Sequence, residues 1–138
     1  MRALSIRQPF AELILRGTKT IEYRTRATRI IGERFWIYAA KGSGAKVGDS
    51  ATKRPPIIGE NIEVPTAPLP PWMIELAEGL RLLKPGDLPT GVIVGSAVIE
   101  KCTRGAHDLY QWHLADVTRE TTLRKPLRHP QPAWFIPF

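Results

Sequence analysis

Lys19, Glu22 and Arg24 are the residues of this chain whose types and spacing could do chemistry, in the run Gly17-Thr18-Lys19-Thr20-Ile21-Glu22-Tyr23-Arg24. A lysine followed three positions later by a carboxylate can supply an acid and a base if burial and mutual proximity shift their pKa values. The alternative is structural: Glu22 and Arg24 pair on the strand to hold the loop, with Lys19 exposed. The elements that must position them are legible on either side. Phe10, Leu13 and Ile14 fall on one helical face, and Gly17 suits the position just past that helix's end. Lys19 then stands in a loop beyond the helix, and residues 20–26 read as a strand. Period-2 alternation puts Glu22, Arg24 and Arg26 on one face and Ile21, Tyr23 and Thr25 on the other. The expectation is an apolar face turned to the core and a charged face turned away from it.

The surroundings supply further elements. Ala3 to Ile6 reads as a first short strand, with Pro9 at an early helical position where a missing N–H does no harm. Arg34 to Ala40, dense in aromatic and β-branched residues, reads as a central strand covered on both faces. Lys41 to Ser50 carries three glycines and two lysines without the spacing of a phosphate-binding P-loop, and reads as a basic loop. Pro55, Pro56, Pro65, Pro68, Pro70 and Pro71 prevent regular structure over most of the next stretch, and Trp72 to Gly79 reads as a brief helix. Val92 to Glu100 is a buried strand, and Trp134 to Ile136 a last one. The mixed segment Asp108 to Val117 takes no assignment.

Charge is unevenly distributed. Residues 1–54 hold twelve Lys/Arg against four Asp/Glu, net +8, whereas residues 55–138 hold eight against nine, net −1. The excess of cations lies in the half that carries the lysine and its strand, and phosphate backbones are the commonest partner for such a half. The apolar fraction of 43% suits one domain with its own core, and no run approaches a membrane span. The start Met1-Arg2-Ala3-Leu4 carries no signal-peptide core, and a single Cys102 excludes an internal disulfide, so a reducing, cytoplasmic setting is expected. Three scattered histidines argue against a zinc site, and no cofactor motif is present, so neither metal nor cofactor is expected.

The pattern Gly-x-Lys-x-x-Glu-x-Arg, led by Leu4-Ser5-Ile6-Arg7-Gln8-Pro9-Phe10-Ala11, resembles the ASCH domain family, whose fold is related to the RNA-binding PUA domains. Arg34 to Ala40, Gly91 to Val98 and Pro132 to Phe135 extend the resemblance over most of the chain except roughly residues 43–88. It implies an α+β fold: a small PUA-like β-barrel with flanking short helices, one domain over residues 1–138 with a Pro-rich insertion near 43–88, and a cleft over the motif. Some bacterial relatives are amidohydrolases acting on acylated cytidine, with a threonine nucleophile three residues after the motif lysine. Here that position is Glu22, so this mechanism is not implied. Others resemble metal-independent ribonucleases that use a lysine with hydroxyl-bearing neighbours, which implies Lys19 stabilising a phosphorane and Tyr38 or Ser5 in proton transfer, beside the catalytic role that spacing from Lys19 suggests for Glu22.

The resulting expectation is RNA, or a nucleotide or nucleoside, bound by Arg7, Lys19, Arg24 and Lys41, with no membrane partner. A ribonuclease or hydrolase in the same cleft is the second class. A protein-interaction module using Pro68 to Trp72 is the third. Trp112 and Tyr110 could stack on a base, although core packing is the simpler role. His113 and Asp116 are similarly read as structural or solvated before they are read as catalytic.

Overall fold

The computed structural model describes residues 1–43 and 88–138. The Pro-rich insertion, Pro68 to Trp72, the Trp72 to Gly79 helix and most of the Lys41 to Ser50 loop lie outside the described residues. Within them, the elements are β1 (Ala3–Gln8), α1 (Phe10–Leu15), β2 (Ile21–Arg24), β3 (Arg34–Ser43), β4 (Val92–Arg104), β5 (Tyr110–Arg124) and β6 (Trp134–Phe135). Six strands form one sheet in the order β2-β5-β4-β3-β1-β6, with β1 and β3 parallel and the other neighbours antiparallel. The described chain is therefore mostly β with one short helix, a smaller helical share than flanking helices imply.

The sheet curls because β4 and β5 are long and irregular. Their pairing shifts register between Ile93 and Gly95, between Ser96 and Val98, and between Ile99 and Lys101, and such bulges bend a strand and increase its twist. The curl brings the two ends of the sheet within side-chain reach. Arg24 on β2 donates from Nη2 to the Ser5 carbonyl of β1 at 3.0 Å, and Trp112 on β5 stacks on Trp134 of β6 at 5.8 Å. Side chains thus bridge ends that share no backbone ladder, giving a half-barrel.

The core fills the inside of this curl. Leu4, Ile6, Phe35, Ile37, Val94, Ile99, Trp112 and Leu114 are buried there together. β3, between β1 and β4, is the central strand its composition predicts, and it runs on to Ser43, so Lys41 stands on a strand. β5 escapes the sequence reading. Its inward Trp112 and Leu114 alternate over the first residues only, and beyond the irregular pairing most side chains are polar and exposed.

α1 packs against β1, β3 and β5. Pro9 is its N-cap and accepts from the Leu13 N–H, while the Gln8 side chain accepts from the Glu12 N–H and donates to the Pro89 carbonyl. At the other end Gly17 has φ +79°, its N–H bonded to the Ile14 carbonyl and the Thr18 N–H to that of Leu13. This is the Schellman pattern, and it aims the chain out of the helix toward Lys19. The buried Glu12 carboxylate accepts from Arg119 of β5 at 2.9 Å through both oxygens and from Arg16 at 2.6 Å. Arg119's hydrogen bonds, partly opposed by burial and reinforced by Arg16, hold the Glu12 carboxyl below the ordinary carboxylate range.

Helix and sheet meet closely at Gly95, where a Cβ would lie 2.5 Å from both Leu15 Cδ2 and the Thr118 carbonyl oxygen. Because one of these neighbours is backbone, Gly95→Ala is expected to overpack the contact and cost about 1–3 kcal/mol. The check is a lowered urea midpoint with little change in the slope of the unfolding transition.

Candidate functional site

β2 is the strand whose orientation the alternation pattern inverts. Glu22 pairs with Trp112, which pairs in turn with Cys102, placing Glu22 on the inward row of the sheet. Glu22 is 7% exposed, while Ile21 and Tyr23 on the outward row are half-buried. The charged face points in. The reason is electrostatic: a carboxylate enters a protein interior only when opposite charge and hydrogen bonds replace its water, and here two cations do so.

Arg24 donates to Glu22 Oε2 from Nε at 2.9 Å and from Nη2 at 2.6 Å, and its guanidinium lies 5.6 Å from the Trp112 ring centroid. Lys19 Nζ stands 3.5 Å from Glu22 Oε1 and donates to the Ile21 carbonyl at 2.5 Å. It also lies 4.9 Å from the Tyr23 ring centroid and 5.7 Å from that of Phe10, within cation–π range. Burial pushes the Glu22 carboxyl up, but Arg24 and then Lys19 more than offset this and leave it below its ordinary value. The carboxylate is therefore ionised at neutral pH.

This cluster lies against an open cleft of about 930 Å³, in the size range of small-ligand sites. The cleft brings together all six residues singled out from the sequence: Arg7, Lys19, Glu22, Arg24, Tyr38 and Lys41. Lys41 is exposed and Arg7 half-buried, whereas Lys19 is 4% exposed. Among the described lining residues, Glu22 is the only acid against four Lys/Arg. Tyr38 is buried on β3 with its ring edge-on to Phe135, and burial raises its phenol pKa. Ser5 also lines the cleft, but its hydroxyl donates to the Gln131 carbonyl at 2.7 Å.

Other candidates lie elsewhere. Trp112 is core, donating from its indole N–H to the Arg26 carbonyl, and Tyr110 packs against the same core. His113 bonds Thr103 at 2.8 Å, and Asp116 is an exposed residue with φ +48°, its carbonyl accepting from Arg34. Neither lines the cleft. The cleft's aromatic residues besides Tyr38 are Phe10 and Tyr23, joined by Gln131 and His129 from the segment before β6. Periodicity assigns Phe10 and Tyr23 to the core, and residues 129–131 carry no local signal.

The ASCH domain pattern matches residues 4–129. The chain belongs to the ASCH family. ASCH domains are PUA-like and generally linked to RNA binding, in keeping with the curled sheet. No curated protein matches the chain in a sequence comparison. Among the described residues, no helix is long and apolar enough to cross a membrane.

Depressed carboxyl pKa values make stability pH-dependent in one direction. A group that ionises more readily folded than unfolded stabilises the fold above its unfolded pKa, and that contribution disappears as pH falls through its folded pKa. The denaturant midpoint is therefore expected to fall on acidification below the ordinary glutamate pKa. Glu22→Gln, which leaves Arg24 and Lys19 without their anion, is expected to cost about 3–5 kcal/mol at neutral pH. It should also flatten the acid limb of the stability profile; an unchanged limb would show that Glu22 contributes nothing to it.

Proposed function

We propose that this ASCH domain binds RNA, or a nucleotide, in the cleft over the Gly-x-Lys-x-x-Glu-x-Arg motif. The observation that carries this reading is the composition of the cleft wall: among the described residues, four Lys/Arg side chains line it with a single buried carboxylate and the rings of Phe10, Tyr23 and Tyr38. Arg7 and Lys41 would meet phosphate, and Lys19 and Arg24 would add positive potential from behind. Glu22 Oε2 takes both hydrogen bonds from Arg24, whereas Oε1 faces Lys19 at 3.5 Å. Beside Lys19, the carboxylate would accept a further hydrogen bond from a base or ribose donor. A phosphate would be held at the cationic rim and kept away from the carboxylate.

The second reading is a metal-independent ribonuclease or a nucleoside-directed hydrolase in the same cleft, favoured by Tyr38 lining the cleft together with Lys19 and Glu22. A phenol raised by burial stays protonated at neutral pH, so Tyr38 would act as a proton donor. Lys19 would stabilise developing negative charge on phosphorus, and Glu22 would hold the lysine in place.

Binding of a fluorescent single-stranded RNA in EDTA separates the two. Wild-type protein is expected to bind with an affinity that falls steeply with salt, and Arg7→Ala and Lys41→Ala each to reduce the log–log slope by about 0.7, the loss of one single-strand phosphate contact. Binding with intact RNA supports the first reading. Cleavage by the wild type that is lost in Lys19→Ala and in the conservative Tyr38→Phe, both still folded by thermal unfolding, supports the second. No RNA binding at any salt concentration would remove both nucleic-acid readings.

A further inference from the structure

The inward turn of Glu22 and Arg24 leaves the opposite row of β2 on the outside of the sheet, and that row does not end at β2. Tyr23 pairs with Gln111, and Gln111 with Thr103; Ile21 pairs with His113, and His113 with Lys101. Two parallel rows therefore cross β2, β5 and β4 on the outer face, a width of about 10 Å at the usual strand spacing. Lys101 and Thr103 are exposed, and the other four residues are half-buried.

These six positions carry no acid, and their polar groups are held in place. Thr103 Oγ1 lies 3.1 Å from Gln111 Oε1 and 2.8 Å from His113 Nε2. Gly105 leaves room for the Gln111 amide, since a Cβ there would lie 2.7 Å from Nε2. At one end of the first row, Tyr23 also lines the cleft. The outer face is continuous with the cleft through this one residue.

On the reading of the cleft as an RNA site, we propose that a single strand of RNA leaving the cleft passes Tyr23 and lies across the outer face of β2, β5 and β4. Lys101 takes a phosphate, the His113 ring offers a surface for a base, and the Gln111 amide offers a donor and an acceptor to a neighbouring base edge. Sheet faces bearing rings, amides and a cation suit single-stranded RNA, whose unstacked bases can lie on them. A protein partner is less suited, because Ile21 is the one aliphatic residue among the six and is half-buried. A duplex would present its phosphates and hide its bases from Gln111 and His113.

The test compares two ligands, a trinucleotide that the cleft alone can hold and an oligonucleotide of roughly eight nucleotides, within the span that single-strand-binding modules cover. Both are titrated against the wild type and the Lys101→Ala/Gln111→Ala/His113→Ala variant, with folding verified by thermal unfolding. The wild type is expected to bind the longer RNA more tightly, and the variant to lose about tenfold of that affinity while binding the trinucleotide as before. Lys101→Ala alone should lower the salt slope for the longer RNA by about 0.7 and leave that for the trinucleotide unchanged. Equal binding of the longer RNA by variant and wild type overturns the outer-face track and leaves the cleft reading intact. Failure of the wild type to bind either ligand overturns both.

Discussion

The ionised carboxylate of Glu22, buried under Arg24 and Lys19, is the constraint on which the rest of this half of the molecule depends. An isolated charge in that position would be prohibitive, so the strand and the loop before it both have to deliver partners. Gly17 turns the chain so that Lys19 reaches back to Glu22 and to the Ile21 carbonyl. Arg24 reaches further, with one nitrogen shared between Glu22 and the Ser5 carbonyl. Through that nitrogen the motif ties β2 to β1 across the mouth of the half-barrel.

The same cluster couples fold to site. The groups that neutralise Glu22 also line the cleft, so the positive potential offered to a ligand is held by a carboxylate that keeps the cations fixed. Lys19 is thereby committed to internal partners, whereas Lys41 is the exposed cation of the cleft and Arg7 and Arg24 are half-buried. A second buried glutamate, Glu12, does equivalent work on the helix side, clamping α1 to β5 through Arg119 without facing the cleft. Two acidic residues of similar burial thus differ in role because of the surface on which they open.

Much of this was readable from residue order. The glycine-closed helix, the location of Lys19, the central aromatic strand and the basic half of the chain all follow from local patterns: period, turn chemistry and charge. The six residues picked for the site do converge on one cleft. The orientation of β2 was not readable, because strand alternation distinguishes two faces but does not say which faces in. Normally the apolar one does, and here it is the charged one. β5 was hidden for a related reason, since irregular pairing breaks the alternation on which strand recognition depends.

The sequence by itself determined the motif, its elements and the excess of positive charge in the half that carries them, because these depend on residue types and on neighbours within a few residues. Tertiary structure alone decided that Glu22 is buried, that the Ser5 hydroxyl donates a hydrogen bond to the Gln131 carbonyl, that Tyr23 sits between cleft and outer sheet, and that Trp112 is core. Each of these depends on a partner distant in the chain, brought close by the curl of the sheet. Burial of charge is a property of the assembled surroundings, and no window of sequence contains them.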